Sequence, residues 1–142
     1  MAFTDLPADW PTRPITSPAL LPDVLDLVVS ERARASGSLF VLVCDAGDRL
    51  VLPIEIGELT TAPGRSARGD ILVPIMRQVA DMEPGGGVLA AIARPGGLSA
   101  TVDDVAWADA VASAAQGSVR LLGVHVVTVD GSRPVPADRH AA

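Results

Sequence analysis

The stretch that decides the fold is Val88-Leu89-Ala90-Ala91-Ile92-Ala93, then Arg94-Pro95-Gly96-Gly97-Leu98-Ser99-Ala100, then Thr101-Val102-Asp103-Asp104. The first six residues are apolar without alternation, which predicts a strand covered on both faces. The glycine- and proline-containing segment is a loop. Thr101 and Asp104 have N-cap and N3 spacing, a variant of the capping box, and predict a helix start. Val105, Ala108, Ala112 and Ala115 face one way along that helix, and Gly117 ends it. Val119 to Val129 is a second long apolar strand, and Asp130-Gly131 is a hairpin-type turn. Arg133-Pro134-Val135-Pro136 closes the body, and a polar tail follows.

Upstream, Pro84-Gly85-Gly86-Gly87 breaks the chain after a helix expected from Asp70 to about Met82, with Ile71, Ile75 and Val79 on one stripe. Residues 57–69, which include Pro63, Gly64, Arg65 and Arg68, read as a loop. Ser38 to Cys44 is an apolar strand, Asp45 to Asp48 a turn, and Arg49 to Ile56 an antiparallel return strand. Pro53 cannot donate to a ladder, so this strand belongs at an edge. A helix is expected between Ser17-Pro18 and Gly37, with Leu20, Val24 and Val28 at helical spacing and Arg32 and Arg34 near its end. Pro7, Pro11 and Pro14 make residues 1–16 an extended arm, which Trp10 and Ile15 pin to the body. The expected fold is α/β (α+β): a single mixed sheet packed with about three helices. Its organisation is an arm over 1–16, one domain over 17–136 and a tail over 137–142.

The chain has 142 residues, a usual size for one domain. Its core is expected to be aliphatic, because aromatics are 3% and Tyr is absent. The net charge is −6, and no dense run of Lys or Arg occurs. Counterion release from DNA or RNA needs such a run, and anionic membranes also attract basic segments, so neither nucleic acid nor membrane is an expected partner. A single cysteine, no secretory leader and no long apolar run point to the cytoplasm.

No complete catalytic or metal constellation is legible. Zinc needs at least three protein ligands, and no Cys-x-x-Cys, His-x-His or His-Glu-x-x-His spacing occurs. His125 interrupts an apolar strand and reads as structural, while His140 lies in the tail. Cys44 sits in a hydrophobic strand, where burial makes a thiol inert. Gly85-Gly86-Gly87 precedes a strand, whereas a phosphate cradle follows one, so it is a turn. Arg94 to Ala100 does follow a strand and open a helix, where N–H groups and a guanidinium favour an anion or carboxylate. The competing readings are a Gly-rich connector with a solvated Arg94, which is the favoured one, and an Arg94 that pairs with Asp104. Arg65 and Arg68 are expected to be solvated, or to meet an acidic partner.

The element order and the residues from Ile92 onward resemble the RadC-like branch of the JAB/MPN (JAMM metalloprotease-type) domains. Those domains carry a strand, His-x-His-Pro-Ser-Gly, a Ser-x-x-Asp at a helix start, and a strand ending in a turn. Here Ile92-Ala93-Arg94-Pro95-Gly96-Gly97, Thr101-x-x-Asp104 and Leu121 to Gly131 fall at the matching places, and the hairpin from Leu39 to Leu52 is similar to the family's first strand pair. The resemblance implies a JAB/MPN-like fold over roughly residues 20–136. It also implies a lost metal centre. The two histidine positions match Ile92 and Arg94, the serine and aspartate positions match Thr101 and Asp104, and no Glu occurs from Arg32 to Val51.

The expectation is therefore a non-catalytic pseudoenzyme: a degenerate JAB/RadC-like domain that binds a protein or small ligand, with no catalytic residue, metal or cofactor. The candidate binding surface is Arg94, Gly96, Gly97, Ser99, Thr101 and Asp104. The rival expectations are a metal-independent enzyme using the Arg94–Asp104 region and a structural subunit such as a homodimer.

Overall fold

The computed structural model describes residues 6–57 and 65–135, with the side chains of 65–67 left aside. The expected tail, His140, Pro63 and Gly64 lie outside the described residues. Five strands form one mixed sheet: β1 (Ser38–Cys44), β2 (Leu50–Ile56), β3 (Gly87–Ala93), β4 (Arg120–Thr128) and β5 (Gly131–Pro134), in the order β2-β1-β3-β4-β5. β1 pairs antiparallel with both β2 and β3, and β4 pairs antiparallel with β5; β3 and β4 are parallel. Four α-helices pack on this sheet: α1 (Leu21–Val28), α2 (Glu31–Ser36), α3 (Arg65–Met82) and α4 (Val102–Ala115).

The all-apolar runs explain the layering. In a strand successive side chains point to opposite faces, so every residue of β1 and β3 is buried only if both faces are covered, and every one is buried. Leu39, Val41, Val43, Val88, Ala90, Ile92, Val124 and Val126 meet Leu72, Met76 and Val79 of α3 and Trp107, Ala108 and Val111 of α4. Phe40, Leu42, Cys44, Leu89, Ala91, Ala93 and Val127 meet Leu21, Val24 and Leu25 of α1, Ala33 of α2, and Ile15 of the arm. The result is three layers, helices–sheet–helices.

The edge role of Pro53 is realised: β2 is the outer strand, and Pro53 sits opposite Leu42. A proline keeps its place in such a ladder with its nitrogen turned to the free edge. That edge then lacks a donor at its middle, which discourages another strand from adding to it.

Four local expectations change. The first helix is two helices, because Ser30 adopts extended backbone and its hydroxyl accepts from the Ala33 N–H, opening α2. Arg34, expected as a helix-end charge, is buried under this break. Its Nη2 donates to Asp26 Oδ1 at 3.0 Å and to the Val29 carbonyl at 3.0 Å, which satisfies groups that the chain reversal exposes.

α3 begins at Arg65, not Asp70, and carries Pro74 in its interior. Its buried stripe is Leu72, Met76 and Val79: Val79 is as expected, but Leu72 and Met76 take the places of Ile71, which is exposed, and Ile75, which is only partly buried. Arg68 consequently belongs to the helix and is buried, not solvated in a loop. It donates to Asp103 at 2.7 Å and lies 5.2 Å from the centre of the Trp107 ring.

On α4 the buried line is Asp104, Trp107, Ala108, Val111 and Ala114–Ala115, with Val105 and Ala112 at its margin. The single large indole, fully buried, sets that face. The arm is not extended throughout: Trp10–Thr12 form one 3-10 turn before Ile15 enters the core and its N–H bonds to the Asp48 carbonyl.

Candidate functional site

Two places gather polar chemistry. The first is the end of β3 and the start of α4. The capping box is complete: Thr101 Oγ1 accepts from the Asp104 N–H at 3.0 Å, and Asp104 Oδ2 accepts from the Thr101 N–H at 2.9 Å. Arg94 leaves the end of β3 and closes on the same carboxylate. Its Nε donates to Asp104 Oδ1 at 2.9 Å and its Nη2 to Oδ2 at 2.7 Å. Its Nη1 donates to the carbonyls of Pro95 and Gly97 at 3.0 and 2.9 Å, and its Nη2 also to the Ser99 carbonyl at 3.0 Å.

Every N–H of the guanidinium is thus engaged within the protein. The pair is well removed from water, with side-chain exposures of 17% for Arg94 and 2% for Asp104. Burial alone would raise the Asp104 carboxyl. The hydrogen bonds from Arg94 and from the Thr101 backbone outweigh it and hold that carboxyl below the usual aspartate range, while the bond to Asp104 raises Arg94 further.

The candidate surface predicted from sequence is therefore brought together, but with its charge turned inward. Arg94, Thr101 and Asp104 form one closed unit. Gly96, Gly97 and Ser99 lie exposed on the loop that the guanidinium laces together. Gly96 has φ +96°, which a side chain would strain, whereas Gly97 has open space around it.

The second place is on the opposite face and was not anticipated. Along β3 and β4 the register slips: Val88 pairs with Leu121, but Leu89 pairs with Gly123. Leu122 is the extra residue of a bulge, and Gly123 carries φ +152°. Side chains alternate, so a one-residue slip exchanges faces beyond it. Val124 therefore turns towards α3 and α4, and His125, opposite Ala91, turns towards α1 and the arm.

There the imidazole enters the wall of a cavity of about 330 Å³ with Leu21, Pro22, Leu89, Leu122 and Pro134. Thr16, Pro18 and Ser132 complete it. Among the described residues the ring makes no hydrogen bond, and its Nδ1 is buried without a partner. Burial pushes the His125 pKa below the ordinary histidine value, which favours the neutral ring. The sequence signal for this site was Gly123 inside a strand, two residues before a histidine.

Elsewhere, Cys44 is fully buried, and desolvation, then the Asp48 and Asp45 charges, push its thiol up to about 12. It cannot serve as a nucleophile at neutral pH.

No family model matches the chain. Neither curated proteins nor solved structures return a significant match.

Whether the residues at the positions compared with the JAB/MPN metal centre could hold zinc can be judged on geometry. Ile92 has an aliphatic side chain, 2% exposed, packed towards α3 and α4. Arg94 puts a permanent cation against both oxygens of Asp104, the one matching carboxylate. A guanidinium has no lone pair to give. This donor set does not fit a metal. His125 cannot complete it, since it projects from the other face of the sheet. Among the described residues no three His, Cys, Asp or Glu side chains are grouped to hold an ion. No helix among them is long and apolar enough to cross a membrane.

Proposed function

We propose that this chain is a non-catalytic domain of JAB/RadC type whose work is binding a small ligand or protein, with the metal-binding end of the fold converted into a structural ion pair. The observation that carries the reading is the engagement of every Arg94 N–H by Asp104 and the carbonyls of Pro95, Gly97 and Ser99. A guanidinium spent in this way has no donor left to polarise a substrate. The carboxylate it holds is fixed in the charged state and stabilises a helix start. Cys44 and His125, the other nucleophile and base candidates, lie apart: Cys44 is sealed at the far end of β1, where it pairs with Gly87, and His125 faces the cavity near the middle of β4. A binding role needs only a shaped surface. The exposed loop from Pro95 to Ala100, held to one conformation by Arg94, is such a surface for a protein partner, while the cavity by His125 suits a small one.

The test is an assay of peptide and isopeptide hydrolysis with and without added zinc, alongside thermal melts under the same conditions. The expected result is no turnover and no zinc-dependent rise in Tm. Zinc-dependent turnover abolished by Asp104→Asn would overturn the reading.

A further inference from the structure

We propose that the cavity walled by Leu21, Pro22, Leu89, Leu122, Pro134 and His125 is a binding site for a compact, neutral, largely apolar ligand that carries one hydrogen-bonding group for the imidazole. The inference rests on the binding reading above and names its site and ligand class.

Four observations lead to it. The cavity, about 330 Å³, is at the small end of the range in which proteins hold organic ligands. Its lining is dominated by leucine and proline, with two hydroxyls and one imidazole as its side-chain polar groups, the composition of a site that orients an apolar molecule by a few contacts. None of the lining residues is a carboxylate, lysine or arginine. A charged ligand would find no counter-charge there, which favours neutral molecules. Lastly, the ring makes no hydrogen bond among the described residues, and while its Nδ1 is buried, its Nε2 is left accessible for a ligand.

The construction of the wall supports a built site. Three of the lining residues, Pro18, Pro22 and Pro134, have a fixed φ and lose little entropy when a ligand orders them. They come from two separate parts of the chain, before and within α1 and at the end of β5. The bulge at Leu122–Gly123 is what brings His125 to this face. The φ of +152° at Gly123 is one that a side chain would strain, so the glycine lets the bulge form. A neutral imidazole offers one donor and one acceptor. A hydroxyl on the ligand can meet either, so phenol is a suitable probe whichever tautomer is present.

The experiment is backbone and imidazole ¹⁵N NMR of the full chain titrated with phenol, benzene and benzoate at millimolar concentration. Phenol is expected to give saturable shifts confined to the amides of Leu21, Leu89, Leu122 and Ser132 and to the His125 ring nitrogens. Ser132→Phe, which fills the cavity from β5, is expected to weaken phenol at least about tenfold with the rest of the spectrum unchanged. Thr16→Phe fills it from the arm and replaces that variant should it fail to fold. His125→Leu is expected to weaken phenol several-fold and leave benzene as it was. Three results would overturn the inference: no saturable shift, shifts that survive the filling variant, or benzoate binding as well as phenol. An imidazole completed by water alone gives the first of these. A silent probe in a protein without hydrolytic turnover sinks this site only, whereas zinc-dependent turnover sinks the reading beneath it.

Discussion

Replacing Arg94 by alanine removes a cation from a carboxylate that is 2% exposed. Asp104 would keep its bond from the Thr101 N–H but lose every contact to the guanidinium, and the carbonyls of Pro95, Gly97 and Ser99 would lose their donor. Removing one member of a buried, hydrogen-bonded pair costs about 3–5 kcal/mol. The carboxylate has an escape, which is to take up a proton. At pH 7 that costs about 4 kcal/mol for a group with an ordinary aspartate pKa, and this caps the electrostatic part of the loss. The carbonyls are exposed enough to turn to water and add little. The expected loss is therefore about 3–4 kcal/mol at pH 7, read as a fall in the urea midpoint at unchanged m-value.

The pH dependence follows. Asp104 has a lowered folded-state pKa, so its contribution is fully present above the unfolded value of about 3.9 and is lost as pH falls through the folded one. Wild type should accordingly lose stability on acidification below about pH 4. In Arg94→Ala the stranded carboxyl titrates higher, so the gap between variant and wild type narrows at low pH. A double-mutant cycle with Asp104→Asn should return a coupling of at least about 1.5 kcal/mol. A loss under about 1 kcal/mol, the value of a surface ion pair, would refute the reasoning. So would intact stability combined with lost affinity for a partner, which would make Arg94 a recognition residue.

Three further outcomes are expected. Gly86→Ala should cost more than about 2 kcal/mol in chemical denaturation, because its Cβ would lie 2.6 Å from the Cys44 carbonyl oxygen and 2.8 Å from that of Glu83, while Gly97→Ala, with open space around it, should stay within about 0.5 kcal/mol of wild type. Cys44 should react with a thiol reagent such as DTNB only as fast as the protein opens, and at full speed in denaturant; rapid native-state labelling would contradict its burial and its pKa of about 12. The lowered pKa of His125 means that, as pH falls below 6.5, the unfolded chain gains a proton before the native one does, so stability declines there and is fully present above 6.5. His125→Gln should flatten the decline, and an unchanged slope in that variant would show the ring to be accessible.

How far the sequence could be read depended on the range of the interactions involved. The continuous apolar runs of β1 and β3 announced strands covered on both faces, and Pro53 announced an edge, because backbone donors and alternation are properties of a few consecutive residues. Thr101 and Asp104 announced the helix start for the same reason: the capping box closes over three residues. For Arg94 the sequence favoured a solvated side chain and left open an anion or Asp104, and the structure replaces the solvated reading with the Asp104 pair. Only folding decided it, since the carbonyls of Pro95, Gly97 and Ser99 converge on the guanidinium once the loop has bent back. The first two turns of the α3 stripe were misplaced by one residue, though Val79 was not, because Ile71 and Leu72 are equally apolar, and what buries Leu72 is packing against α4 and the sheet. His125 shows the limit most clearly. A regular strand would have turned it towards α3 and α4. A one-residue bulge at Leu122 turned it to the other face, into a cavity whose walls come from the arm, α1, β3, β4 and β5. Sequence sets periodicity and local caps, whereas register and the meeting of distant segments are set by the sheet as a whole.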